Sequence, residues 1–266
     1  MGVILAIANQ KGGVGKTTSC VSLAAALADG KTRVLLADID PQGNATSGFG
    51  VDRGRLETTM YDVLVGDVDD LDHVIVKARE HLDLLPANMD LAGAEIELVN
   101  VPARERRLQA ILDPLRDTYD YILIDSPPSL GLLTVNALTA ADAVLIPVQA
   151  EYYALEGLMQ LMTTLGLVKR SFNPDLRLAG VFITMFDTRT QLSKQVRDEV
   201  KWYFSDDFLK TVIPRNVRLS EAPSFGRTIF EHDKRSRGAF GYRALARELV
   251  KRLNSEAWTS GKLGRF

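Results

Sequence analysis

The sequence predicts a doubly wound α/β fold, a mostly parallel sheet with helices on both faces. Three observations carry this. Apolar runs of strand length alternate with segments of helical period along nearly all of the 266 residues. Several of the runs are continuously apolar, as in strands buried on both faces. The first, Val3–Ala8, passes through a glycine-rich stretch straight into an Ala/Leu-rich helix closed by Gly30.

Taken in order, strands are expected at Val3–Ala8, Val34–Ala37, Leu82–Leu85, Tyr121–Ile124, Ala143–Val148, Leu178–Met185 and Thr211–Ile213. Helical patterns fill the gaps: Thr17–Ala28, Thr59–Leu64, Ala92–Val99, Arg104–Arg116, Leu132–Ala140, Leu155–Lys169, Leu192–Phe204 and Tyr242–Leu253. No internal repeat or low-complexity linker interrupts them. One domain is expected over residues 1–254, with the polar, glycine-bearing 255–266 as a mobile C-terminal tail.

The chemistry starts at Lys11-Gly12-Gly13-Val14-Gly15-Lys16-Thr17-Thr18. The glycines let the backbone curl so that successive N–H groups face one anion. The following helix adds the positive end of its dipole. Lys16 brings a full charge to the outer phosphates, and Thr17 offers a hydroxyl to a magnesium ion. With a strand before and a helix after, this is a phosphate-binding loop. It departs from the common G-x-x-x-x-G-K-[ST] pattern, because Gln10 stands where the first glycine would fall and Lys11 adds a second lysine. Lys11 is either a solvated loop residue or a group that reaches a second phosphate site across a dimer interface.

Two strands end in carboxylates. Asp38-Ile39-Asp40-Pro41-Gln42-Gly43-Asn44 closes the second strand, on the side where parallel sheets bind ligands. A carboxylate there can orient or deprotonate a water attacking the γ-phosphate; alternatively Asp40 only caps its own turn. Tyr121–Asp125 is an apolar strand that aims Asp125 at magnesium, expected through a water.

Composition bounds the rest. At 46% hydrophobic and 25% charged, the chain is balanced like a globular protein. One cysteine, Cys20, excludes an intrachain disulfide or a cysteine-rich cluster. No signal peptide or membrane span is read, so a cytoplasmic location is expected. The net charge of −2 hides an asymmetry: residues 1–188 carry −10 and residues 189–266 carry +8. A basic C-terminal third is either a polyanion-binding face or a solvated set of helices. Lys194, Arg197 and Lys201 are spaced to form one helical stripe.

Four stretches in this order, Lys11–Thr18, Asp38–Asn44, Ile124–Pro128 and Pro214–Pro223, resemble the ParA/MinD class of P-loop NTPases with a deviant Walker A motif, and within it the chromosomal ParA/Soj branch. The likeness runs from Met1 to about Leu253. It implies a DNA-partitioning ATPase with ATP and Mg2+ as cofactors and weak intrinsic hydrolysis. ATP would drive a sandwich homodimer in which Lys11 reaches the partner's nucleotide. Asp40 would take the hydrolytic role, and Pro214 and Asn216 would flank the adenine. The stretch around Tyr152 and Tyr153 would lie at the dimer seam, core packing being the alternative. Arg189 and Arg218 match family positions that bind DNA without sequence preference, and the 194/197/201 stripe would extend that face. The implied partners are nucleoid DNA and a ParB-type centromere-binding protein, with no membrane. The alternatives are a MinD-like membrane-associated positioning ATPase, which needs an amphipathic C-terminal helix, and a synthetase that activates a carboxylate.

Overall fold

In the computed structural model, which describes residues 1–66, 70–152, 154–264 and 266, the first strand sits inside the sheet and leads directly to the phosphate loop. β1 (Val3–Ile7) runs through Ala8–Gly15 into α1 (Lys16–Leu27), and β2 (Val34–Asp38) ends at α2 (Asn44–Gly48). α3 (Met60–Val65) precedes a hairpin of β3 (Val76–Arg79) and β4 (Leu82–Leu85). α4 (Leu91–Glu97) and α5 (Arg107–Leu112) lead to β5 (Tyr121–Asp125), α6 (Leu132–Ala140), β6 (Ala143–Gln149), α7 (Ala154–Ser171) and β7 (Arg177–Thr184). α8 (Gln191–Phe204), two short helices α9 (Val217–Glu221) and α10 (Ile229–His232), the long α11 (Arg237–Leu253) and α12 (Glu256–Thr259) complete the chain.

The strand order is β3-β4-β2-β5-β1-β6-β7. All pairings are parallel except β3 with β4. The period-2 alternation of the strands divides the core between two faces. Ile4 and Ala6 join a cluster with Leu91, Leu133 and Leu158, beneath the layer that includes α4, α6 and α7. Leu5 and Ile7 join the opposite cluster with Leu23, Leu245 and Trp258, beneath α1, α11 and α12. Each fully buried Leu or Ile stabilises the fold by roughly 1.5–3 kcal/mol.

The doubly wound parallel sheet is as the sequence predicts, with local differences. β3 is missed because a short antiparallel edge strand, Val-Lys-Ala-Arg, shows neither a continuous apolar run nor a clean alternation. The expected strand at Thr211–Ile213 is an extended segment bound to the sheet by single contacts, such as Ile213 N–H to Ile183 O at 2.8 Å. The expected helix Arg104–Arg116 breaks into 3-10, α and 3-10 turns around Pro114. α11 begins five residues before the predicted Tyr242, capped by Ser236, whose side chain accepts from Ala239 N–H.

Within 255–266, expected from the sequence as a mobile tail, Trp258 is buried and the Arg177 guanidinium lies 3.5 Å from its ring centroid. Gly264 O accepts from Leu178 N–H at 2.9 Å, so the tail covers part of the β7 edge. Tyr153 lies outside the described residues.

Candidate nucleotide site

The loop after β1 is held in a curl from three sides. The Asn9 side-chain NH2 donates to Pro147 O at 2.7 Å, Thr184 Oγ1 donates to Val14 O at 2.8 Å, and Ser126 Oγ donates to Ile7 O at 2.8 Å. Gly15 occupies the N-cap of α1 with φ +89°, a conformation open to glycine at little cost. No side chain caps this helix and its first turn holds no acidic residue, so its leading N–H groups remain available to an anion.

Lys16 folds back into this curl. Its side chain is buried, and Nζ donates to Lys11 O at 3.1 Å. Burial lowers its pKa, while the charges of Asp125 and then Asp40 oppose that shift. The lysine is thus committed to its own loop. Lys11 is not. Its Nζ points to the Oε2 of Glu151, after β6, at 2.6 Å, and both side chains are more than a third exposed. Gln149 Nε2 holds the other oxygen of that carboxylate.

The carboxylates divide their roles. Asp38 and Asp125 are register partners on adjacent strands and both are fully buried. Asp38 accepts from Thr46 N–H at 2.9 Å, Thr46 Oγ1 at 2.8 Å and Asp40 N–H at 3.2 Å. It is a brace that sets the loop after β2; burial raises its pKa to about 6, with the Thr46 bonds opposing. Both oxygens of Asp125 lack a hydrogen-bond partner among the described residues. Burial, then the Asp38 charge, pushes its pKa up; the Thr17 hydroxyl, near it without closing a hydrogen bond, and Lys16 oppose this. An orphaned buried carboxylate beside a hydroxyl and a phosphate cradle fits Mg2+, a hard cation that takes oxygen ligands and keeps several waters. Thr17 and Asp125 are the residues that would hold it. There it would neutralise charge on the phosphate oxygens.

Asp40 is nearly buried, and its Oδ1 accepts from Gln42 N–H at 2.9 Å. It therefore caps its own turn, and it also stands close enough to Lys16 for the two charges to interact. The two sequence readings of Asp40 are compatible. The turn needs Gly43, at φ +56°, because a Cβ there would meet Ala87 O at 2.6 Å.

A pocket of about 300 Å3 opens beside the loop, lined by Gly15, Thr18, Thr184, Met185, Pro214, Asn216 and Tyr242 among others. Its size suits a purine. Pro214 and Asn216 thus lie next to the phosphate cradle, although 200 residues separate them in sequence. Asn216 Oδ1 caps α9 by accepting from Arg218 N–H at 2.8 Å. Met185 takes φ +50°, uncommon for a residue other than glycine.

The predicted DNA residues are brought together only in part. Arg197 packs over the Phe186 ring, 5.5 Å from its centroid, next to the loop that carries Arg189. Arg189 is bound to Asp187 at 2.7 Å and Arg197 to Asp198 at 2.7 Å. Arg218 is held by Glu221 at 2.8 Å, with Asp233 at 3.8 Å. Lys194 and Lys201, on α8, carry no ion pair among the described residues. Sequence reasoning missed Glu151 as the partner of Lys11; no local signal links residues 140 positions apart.

A family model described as "AAA domain" matches residues 2–178. Sporulation initiation inhibitor protein Soj of Bacillus subtilis (strain 168) is 59% identical over 250 residues, 94% of this chain and 99% of that protein. Chromosome partitioning protein ParA of Myxococcus xanthus (strain DK1622) is 53% identical over 252 residues, covering 95% and 89%. The chain belongs to the ParA/Soj family. ParA/Soj membership agrees with the solved structures it is similar to. Cobyrinic acid a,c-diamide synthase from Mycobacterium smegmatis, with bound ATP analog and magnesium, superimposes with a TM-score of 0.82 at 39% identity, covering 100% of both chains. The septum site-determining protein MinD of Pyrococcus horikoshii, complexed with Mg-ADP, gives 0.79 at 27% identity over 96% and 98%.

Proposed function

We propose that this chain is an ATP-dependent DNA-partitioning ATPase. One observation carries the reading: of two lysines on one phosphate loop, Lys16 is buried in its own cradle while Lys11 points outward to an exposed edge. A second lysine placed there serves a phosphate outside its own chain. ATP, with Mg2+ at Thr17 and Asp125, occupies the cradle, and its base lies by Pro214 and Asn216. Two chains then close face to face, each Lys11 reaching the other's triphosphate. Asp40 orients the attacking water, and hydrolysis is slow until a ParB-type partner stimulates it.

The closed dimer places two basic C-terminal thirds on one polyanion, so weak single-chain contacts act together. Contacts from Arg189, Lys194, Arg197, Lys201 and Arg218 go to phosphates, which gives binding without sequence preference and a steep dependence on salt. The protein then resides on the nucleoid. The 59% and 53% identical relatives named for sporulation control and chromosome partitioning support this role.

The membrane-positioning alternative calls for a tail with a lipid-facing apolar side. Here α12 has four residues and Trp258 is turned inward, and no helix among the described residues is long and apolar enough to cross a membrane. Light scattering with ATP, ADP and no nucleotide tests the proposal. A dimer with ATP alone supports it, and one mass under all three conditions refutes it.

A further inference from the structure

Beside the base pocket lies a larger cleft of about 670 Å3. Its walls are the Phe186–Arg189 loop after β7, the extended segment from Val212 to Val217, and Arg237 at the first turn of α11. Three arginines line it, Arg189, Arg215 and Arg237, against one carboxylate, Asp187. Asp187 is already bound by Arg189 in a two-pronged pair, with contacts of 2.7 and 3.0 Å. Arg215 and Arg237 are exposed and have no carboxylate within ion-pair distance among the described residues. The cleft therefore keeps an excess of two positive charges in a concave space, where a field is focused and an anion is attracted. By contrast, Arg218 has two carboxylates beside it.

We propose that this cleft seats one backbone phosphate of duplex DNA, held by Arg215 and Arg237 with Arg189 at its rim. The proposal rests on the DNA-binding reading above. The guanidinium fork matches a phosphate in two-pronged geometry, and two forks from different elements can grip one group. The cleft and the base pocket share Pro214, Arg215 and Val217. One short segment thus separates a nucleotide base on one side from a DNA phosphate on the other.

Arg237 lines the cleft and not the base pocket, so it is the residue to change. The full chain with ATP is titrated onto a labelled duplex of scrambled sequence over a range of NaCl concentrations, as wild type, Arg237→Gln and Arg237→Glu. Removing one of the two forks lowers the slope of log K against log salt by up to about 0.9 per chain for Arg237→Gln. Arg237→Glu weakens binding further, although an acidic residue in the first turn of α11 favours the helix and keeps the melting temperature at or above wild type. ATP-driven dimer mass stays the same in both variants. An unchanged slope while wild type binds overturns the phosphate seat and leaves the DNA reading intact. Failure of wild type to bind duplex overturns both. Variants that lose the ATP-driven dimer also overturn the seat.

Discussion

Lys11 Nζ lies 2.6 Å from Glu151 Oε2 of its own chain. The outward lysine of the phosphate loop is thus parked on a carboxylate just after β6, and in the proposed dimer it would have to leave it to reach another chain's nucleotide. Both side chains are more than a third exposed, so solvent screens the pair and it is worth only about 0.2–1 kcal/mol. Each of the two chains gives up one such pair, so Glu151→Gln should tighten the ATP-bound dimer by at most about thirtyfold. Lys11→Ala should keep ATP binding and lose the dimer. Sedimentation velocity against protein concentration reads both; an ATP dimer of normal strength in Lys11→Ala would remove the cross-chain role.

Asp40 combines a turn-capping bond with a place near Lys16. Asp40→Ala should lower ATP turnover by about 10²–10⁴-fold while ATP binding and dimerisation persist. Single-turnover hydrolysis paired with light scattering separates the two effects. A variant that stays monomeric with ATP would show Asp40 to be a structural brace instead.

Asp125 has two buried, unpartnered oxygens, which costs stability when no cation is bound. Asp125→Asn removes the buried charge and should therefore raise the melting temperature of the nucleotide-free protein. The same change should abolish the gain in ATP affinity that Mg2+ gives. A nucleotide-free variant less stable than wild type would mean that Asp125 is satisfied in a way the geometry does not show.

Asp38 gives a pH signature. Its pKa in the fold is raised to about 6 from the ordinary aspartate value of 3.8, chiefly by burial. The folded state therefore holds this proton more tightly than the unfolded chain. Its stabilising contribution is complete below about pH 4 and is lost as pH rises through about 6. Because Asp125 is a close neighbour, the two carboxyls titrate as a pair. Nucleotide-free thermal scans across this window should show wild type losing stability with rising pH relative to Asp38→Asn. Parallel curves for the two proteins would contradict the burial effect.

The sheet was legible because strands such as Val34–Ala37 and Tyr121–Ile124 are covered on both faces and so are apolar at every position. The phosphate cradle was legible because Gly12–Thr18 is a local motif whose function lies largely in its own backbone. Edge strand β3 was not, since half-exposed residues carry a weak pattern. The start of α11 was hidden by Gly238, which is there because a Cβ would press into Leu219 at 2.7 Å. The packing of 255–266 is carried by long-range contacts that sequence does not show: Trp258 stacks on Arg177, 81 residues away, and Lys169 lies over the Phe266 ring at 4.5 Å. Ion pairs decided what sequence charge could not: Arg218 is held by carboxylates, whereas among the described residues Arg215 and Arg237 have no carboxylate within ion-pair distance.

Co-sedimentation with duplex DNA of arbitrary sequence, with ATP, ADP or no nucleotide at low and moderate salt, bears most directly on the coupling of triphosphate to DNA. The expected result is retention with ATP only, prolonged in Asp40→Ala and falling steeply as salt rises. Equal retention under all three nucleotide conditions would contradict that coupling.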